Sequence, residues 1–263
     1  MNPSKKKPIN KMELPQFKIR CSAISNIMAE PKDAAAKLRG ELGETAKTYC
    51  QDWLKEKMFG RRKQLESKFL EKGNACEELG FDLITLELKL GMVYKNTELF
   101  TNECLQGTPD LIEPILIDNK CSWSLDTFPM FDTEIPNKAY GLQLQGYMAL
   151  TNKSEAKLCY TLINTPEHLI NDEIRRKLWK DNEMDMSDND KYIIFSKAVY
   201  DEKSFLALRH AYFPQSDLET FIEIPRNKRI KTFDIKRDEA TIAKIYNQVQ
   251  KCRKYINTLI ENY

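Results

Sequence analysis

The chain has 263 residues, with 41 Lys or Arg against 39 Asp or Glu and a net charge of +2. This is an ordinary globular composition with ample material for a core, and the charge sum does not by itself announce a nucleic-acid binder. No apolar run approaches the roughly 18 residues a membrane span needs, and the seven cysteines stand singly, which argues against zinc ribbons, iron–sulfur clusters and a disulfide framework and for a reducing, cytosolic setting.

Residues 1–20 hold six basic residues against one acid and read as a flexible basic leader, with residues 21–263 as a single domain. The leader lacks the apolar stretch of a secretory signal. Ser22 and Ser25 are candidate caps for a short helix near 24–28, limited by Pro31. Residues 33–72 are rich in Ala, Glu, Lys, Leu and Gln, with Leu54 and Met58 four apart and Leu65 and Phe69 likewise, which predicts one or two amphipathic helices broken at Gly60. A helix is predicted from about Asn74 into the 80s. Short strands follow at Val93 with Tyr94 and at Leu99 with Phe100. Residues 108–112 and 115–121 read as a hairpin across Glu113 and Pro114.

Pro136 and Asn137 precede a predicted helix over 139–150. A strand is expected at 157–163, and a polar helix followed by an acidic loop at 167–190. Residues 229–236 alternate as a strand does, with Ile230, Thr232 and Asp234 on one side and Lys231, Phe233 and Ile235 on the other. The last helix, about 238–260, sets Ile242, Ile245, Val249, Cys252, Ile256 and Leu259 in one apolar seam. The seam is too short to argue for a coiled coil and is read as packing on its own domain. The order of elements suggests an α/β domain with a central mixed sheet. Residues 225–254 hold ten basic residues against three acidic ones; from charge alone this is a solvated face.

The chemistry concentrates in residues 107–124. Asp118 and Lys120 are two apart on a predicted strand and share a face, directly after the apolar run Ile115, Leu116 and Ile117. Asp110 lies on the preceding segment, where a hairpin would bring its carboxylate beside that of Asp118. Two close carboxylates at the end of a buried strand repel unless a cation lies between them. With only His168 and His210 in the chain, that cation would be held by oxygen ligands, which points to magnesium or manganese. Lys120 would then orient or deprotonate a water, or balance developing negative charge, an arrangement suited to metal-assisted phosphodiester hydrolysis. Glu77, on the helix before the hairpin, is a candidate third carboxylate. Gln143 and Tyr147 are four apart on one helical face and would brace Lys120 or touch a phosphate, with Gly146 allowing that helix close to the sheet. Trp123 and Phe128 follow the strand; burial against the 139–150 helix is weighed above base stacking for both.

Glu77, Pro109 with Asp110, Asp118-Asn119-Lys120 and Gln143-x-x-x-Tyr147, in that order, resemble the PD-(D/E)XK nuclease superfamily, most closely its RecB-like and YqaJ-like (lambda exonuclease-like) branch in phages and bacteria. The resemblance implies a restriction-endonuclease-like mixed sheet flanked by helices, α-β-β-β-α-β. It implies a magnesium-dependent deoxyribonuclease, an exonuclease more than an endonuclease, working on DNA in recombination, repair or processing in the (host) cytoplasm. Glu77, Asp110 and Asp118 would bind the metal with the Asn119 carbonyl, Lys120 would position water, and Gln143 and Tyr147 would support the site and contact DNA; Trp123, read from its place after the strand, is a further substrate-binding candidate. A separate recombination protein, such as a single-strand annealing protein or helicase, and an oligomeric state are also implied; membrane association is not. Asp118 stands where Glu is commoner, and Asn119 is polar where an apolar residue is usual. Two rivals remain: a catalytically weak nuclease-fold DNA-binding or scaffolding protein, and an interaction protein assembling through its last helix.

Overall fold

The structure is a computed structural model that describes residues 14–61, 67–212 and 221–263. It is a mixed α/β fold. In chain order it comprises β1 (Ile19–Arg20), a 3-10 turn (Cys21–Ala23), α1 (Ile24–Met28), α2 (Ala34–Leu38), α3 (Glu44–Phe59), α4 (Lys68–Ala75), α5 (Glu77–Glu87), β2 (Phe100–Thr101), β3 (Leu105–Gly107) and β4 (Leu116–Cys121). There follow α6 (Lys138–Thr151), β5 (Glu155–Thr161), α7 (Glu167–Asp181), α8 (Asp188–Ala198), α9 (Glu202–Tyr212), β6 (Ile230–Lys236) and α10 (Glu239–Glu261).

The single central sheet expected from the sequence is instead two three-stranded mixed sheets, ordered β1-β3-β2 and β4-β5-β6. The expected hairpin has shrunk to one antiparallel bridge, Leu111 to Ile117. Pro109 and Pro114 lie in this segment without backbone N–H donors, so it cannot sustain a ladder. In the second sheet β4 runs parallel to β5, with Asp118 opposite Leu158 and Lys120 opposite Tyr160, and β6 closes antiparallel on the far side of β5. The faces alternate as period two requires. Leu116 and Leu158 join Leu144 and Met148 of α6 in the main core, while Ile117 and Cys159 join Ile84 of α5 on the opposite face.

Leu14 to Arg20 belong to the domain, which corrects the boundary of the basic leader. Phe17 and Ile19 are buried, Ile19 pairs with Leu105 of β3, and the Arg253 guanidinium holds the Phe17 carbonyl at 3.0 and 3.1 Å. The charge count hid two apolar residues at strand spacing. Residues 1–13 and Leu65 lie outside the described residues.

Gly60 ends α3 in the left-handed conformation, φ 67°, as C-terminal caps favour. Residues 22 and 25 cap nothing: α1 is entered from the 3-10 turn without a side-chain cap. No strand forms at Val93 and Tyr94. The polar helix expected within 167–190 is α7, and the acidic loop after it runs over 182–187; its last three residues, 188–190, instead begin α8. Ser187 accepts the Asp190 N–H at 3.2 Å, and Asp188 and Asp190 sit in the first turn where the helix dipole favours them. Helix α10 buries Ile242, Ile245, Val249, Cys252 and Ile256, the last four in the main core. Among the described residues, no helix is long and apolar enough to cross a membrane.

Candidate active site

Strand β4 leaves the core through Leu116 and delivers Asp118 and Lys120 to the α6 face. Asp118 is only 2% exposed. Its Oδ2 lies 2.6 Å from the Lys120 ammonium, and its Oδ1 accepts from the Gln143 amide at 2.9 Å. The same amide donates to the Tyr147 hydroxyl at 3.1 Å, which donates to the Thr108 carbonyl at 3.2 Å. The chain from Asp118 to the backbone before β4 is therefore continuous, buried as far as Tyr147 and reaching the surface at Thr108. It depends on Gly107, where a Cβ would lie 2.6 Å from the Tyr147 ring. Lys120 also sits over the Tyr140 ring, 4.9 Å from its centre.

Asp110 arrives from the other side of the 111–117 bridge. Its Oδ2 accepts the Asn119 backbone N–H at 2.7 Å. Burial, then the charge of Asp118, push its carboxyl up to about 7, against the pull of the Asn119 N–H and Lys120. Asp118 is raised as well, by burial first, with Lys120 opposing and Glu77 adding to the rise. Lys120 moves the opposite way to a buried lysine left alone: burial lowers it, but Asp118 and Asp110 outweigh burial and hold it as an ammonium.

Glu77 opens α5 and is paired with Lys95 at 2.7 Å, both side chains partly exposed. Its charge is felt at Asp110 and Asp118, but among the described residues no three His, Cys, Asp or Glu side chains gather closely enough to hold a metal. The site is thus two coupled carboxylates with a third at its edge. Its donors are hard oxygens, and the buried Asp118 Oδ2 has no aligned hydrogen bond, its charge balanced by Lys120 alone. Such a set fits an oxygen-liganded divalent cation.

No family model and no curated protein matches the chain. Solved structures do. A phage-related exonuclease from Haemophilus somnus 129PT is 31% identical, with 95% of this chain and 97% of that one covered and a TM-score of 0.70. The chain belongs to the lambda exonuclease-like (YqaJ-like) PD-(D/E)XK nucleases. An alkaline exonuclease from Laribacter hongkongensis shares the fold at 16% identity, with 93% of this chain and 90% of that one covered and a TM-score of 0.56. A second structure of that exonuclease, in complex with dAMP, gives a TM-score of 0.55.

In this lambda exonuclease-like chain the structure brings Asp110, Asp118, Lys120, Gln143 and Tyr147 together. Asn119 does not face a loop: its Oδ1 accepts from Thr161 at 2.9 Å, and its amide lies against Gly80 of α5. Gly146 approaches not the sheet but α1, where a Cβ would lie 2.6 Å from Ile24. Phe128 is buried in the main core. Trp123 packs instead on α4. Its carbonyl accepts from the buried Lys72 at 2.7 Å, its ring meets Phe69 edge-on at 5.3 Å, and the Lys68 ammonium covers it at 4.7 Å. Sequence reasoning missed Tyr140, although it stands three residues before Gln143 on the same helical face. It also missed Lys95 and Asn96, which carry no motif.

Proposed function

We propose that this chain is a magnesium-dependent DNA exonuclease that hydrolyses phosphodiester bonds in phage or bacterial DNA recombination, repair or processing. The observation that carries this reading is the pair of carboxylates, the buried Asp118 and the half-buried Asp110, with one lysine between them: Lys120 pairs with Asp118 at 2.6 Å and its charge is felt at Asp110. Within a nuclease family, a site with more negative charge than it can hold unaided is suited to a divalent cation and a phosphodiester. In this reading α5, β2, β3, β4, α6 and β5 form the α-β-β-β-α-β core.

Asp110 and Asp118 would hold the cation, with Glu77 and the Asn119 carbonyl as its further ligands. When bound, the metal lowers the pKa of water and neutralises charge on the phosphoryl group. Lys120, kept as an ammonium, orients the attacking water and balances charge that develops on the phosphoryl oxygens. Gln143 fixes the Asp118 carboxylate in one orientation, and Tyr147 fixes Gln143 by its bond to Thr108. A structure of the Laribacter exonuclease is a complex with dAMP, which supports a nucleotide as the class of ligand here.

The test is cleavage of end-labelled linear duplex DNA with magnesium, beside a closed circular duplex. The wild type is expected to release nucleotides from linear DNA alone and to stop when EDTA is added. Lys120→Ala and Asp118→Ala are expected to lose at least a hundredfold in rate. Undiminished cleavage by either variant, or cleavage in EDTA, overturns the assignment.

A further inference from the structure

Residues 88–99, between α5 and β2, have no regular secondary structure, yet two adjacent residues tie them to the carboxylate site. The Asn96 backbone N–H donates to the Asp110 carbonyl at 2.8 Å, and its side-chain amide donates to the Pro109 carbonyl at 2.9 Å. The Asn96 Oδ1 in turn accepts the Glu98 N–H at 3.1 Å, closing the turn. Asn96 therefore grips the backbone that carries Asp110, and this grip sets where Lys95 stands. Lys95 places its ammonium 2.7 Å from Glu77, the carboxylate that the proposed metal site needs as its third.

Charge decides what this contact does. With all three carboxylates ionised, as cation ligation requires, Glu77, Asp110 and Asp118 against Lys120 alone leave two negative charges, which one divalent cation balances. With Lys95 in place only one negative charge remains, and a divalent cation overcompensates it. The Lys95–Glu77 pair is partly exposed, so its hold is weak enough for a cation to break.

We infer that Lys95 is the resident counter-ion of the carboxylate site, and that a divalent cation must displace it from Glu77 to gain full ligation. The inference rests on the metal-dependent reading above. It makes Lys95 a positioning residue that sets how much cation the site requires, and it accounts for Glu77 standing apart from Asp110 and Asp118 while the pair is made.

The experiment is a calorimetric titration with Mn2+ alone, without DNA, of the full chain and its Lys95→Met, Lys95→Arg, Glu77→Gln and Lys95→Met/Glu77→Gln variants. Lys95→Met is expected to bind Mn2+ about two- to fivefold more tightly than wild type, the range a partly exposed pair allows, and Lys95→Arg to bind as wild type does. Glu77→Gln is expected to weaken binding and to abolish the gain from Lys95→Met. Unchanged or weaker binding by Lys95→Met, or a gain that survives Glu77→Gln, overturns the role of Lys95 while leaving the metal reading standing. A wild type that takes up no Mn2+ overturns both.

Discussion

Gln143 bears more on the site than its neutral side chain suggests. It is the only described side-chain donor to Asp118 Oδ1 other than through charge, and it spends the same amide on Tyr147. Gln143→Leu keeps the volume and removes the donor, leaving a buried carboxylate oxygen unpaired and free to turn. Activity on linear duplex is expected to fall about 10- to 100-fold, the usual cost of losing a group that orients a metal ligand. Single-turnover rates check this, with circular dichroism confirming that the fold is kept. The residue types and their spacing alone point to this cluster. The pairing of Gln143 with Asp118 and not Lys120 did not, because hydrogen-bond partners 25 residues apart depend on how α6 lies across β4.

At the scale of elements, the region from α7 to α9 was the least legible. The acidic loop expected up to residue 190 ends early because Ser187 caps α8, and the acidic residue that caps the next helix, Asp201, was not legible from the sequence. Asp201 accepts the Ser204 N–H at 2.8 Å at the start of α9 and is bonded by the Asn164 amide. Asn164 in turn accepts the Tyr200 N–H at 2.8 Å. Burial pushes the Asp201 carboxyl up, but the donors of Asn164 and Ser204 outweigh it and hold the group below the usual carboxylate range. Its folded value is therefore lower than its unfolded one, so its contribution is present above about pH 4 and is lost as pH falls through the folded value. Asp201→Ala is expected to cost about 1 kcal/mol at neutral pH, as lost caps do. The gap between variant and wild type should close as pH falls below about 4, which melting curves from pH 7 to pH 2 would follow. By contrast α6 and α10 were readable within a few residues, as was the end of α3 at Gly60, because apolar spacing and the flanking Gly60 and Asn137 are local signals; the start of α3 at Glu44, after the separate α2, was not.

For the whole molecule, α10 decides between a protein that folds through its last helix and one that assembles through it. Val249 is fully buried and packs in the core shared by α1, α6 and the β4-β5-β6 sheet. Val249→Asp would bury an unpaired carboxylate there, at a cost of about 4 kcal/mol or more. The expected result is an unfolded chain by circular dichroism and no folded monomer. A folded variant of smaller molecular mass would restore the assembly reading.

Residue types, their order and their periods were enough to establish the nuclease resemblance, the shared face of Asp118 and Lys120, and the self-packing seam of α10. These are short-range properties, carried by spacings of two to four residues along one strand or helix. The division into two sheets, the inclusion of Phe17 and Ile19 in the core, and the pairing of Glu77 with Lys95 are contacts between segments distant in sequence. Their energies depend on burial and on where the chain has room to turn, and neither quantity exists until the chain has closed on itself.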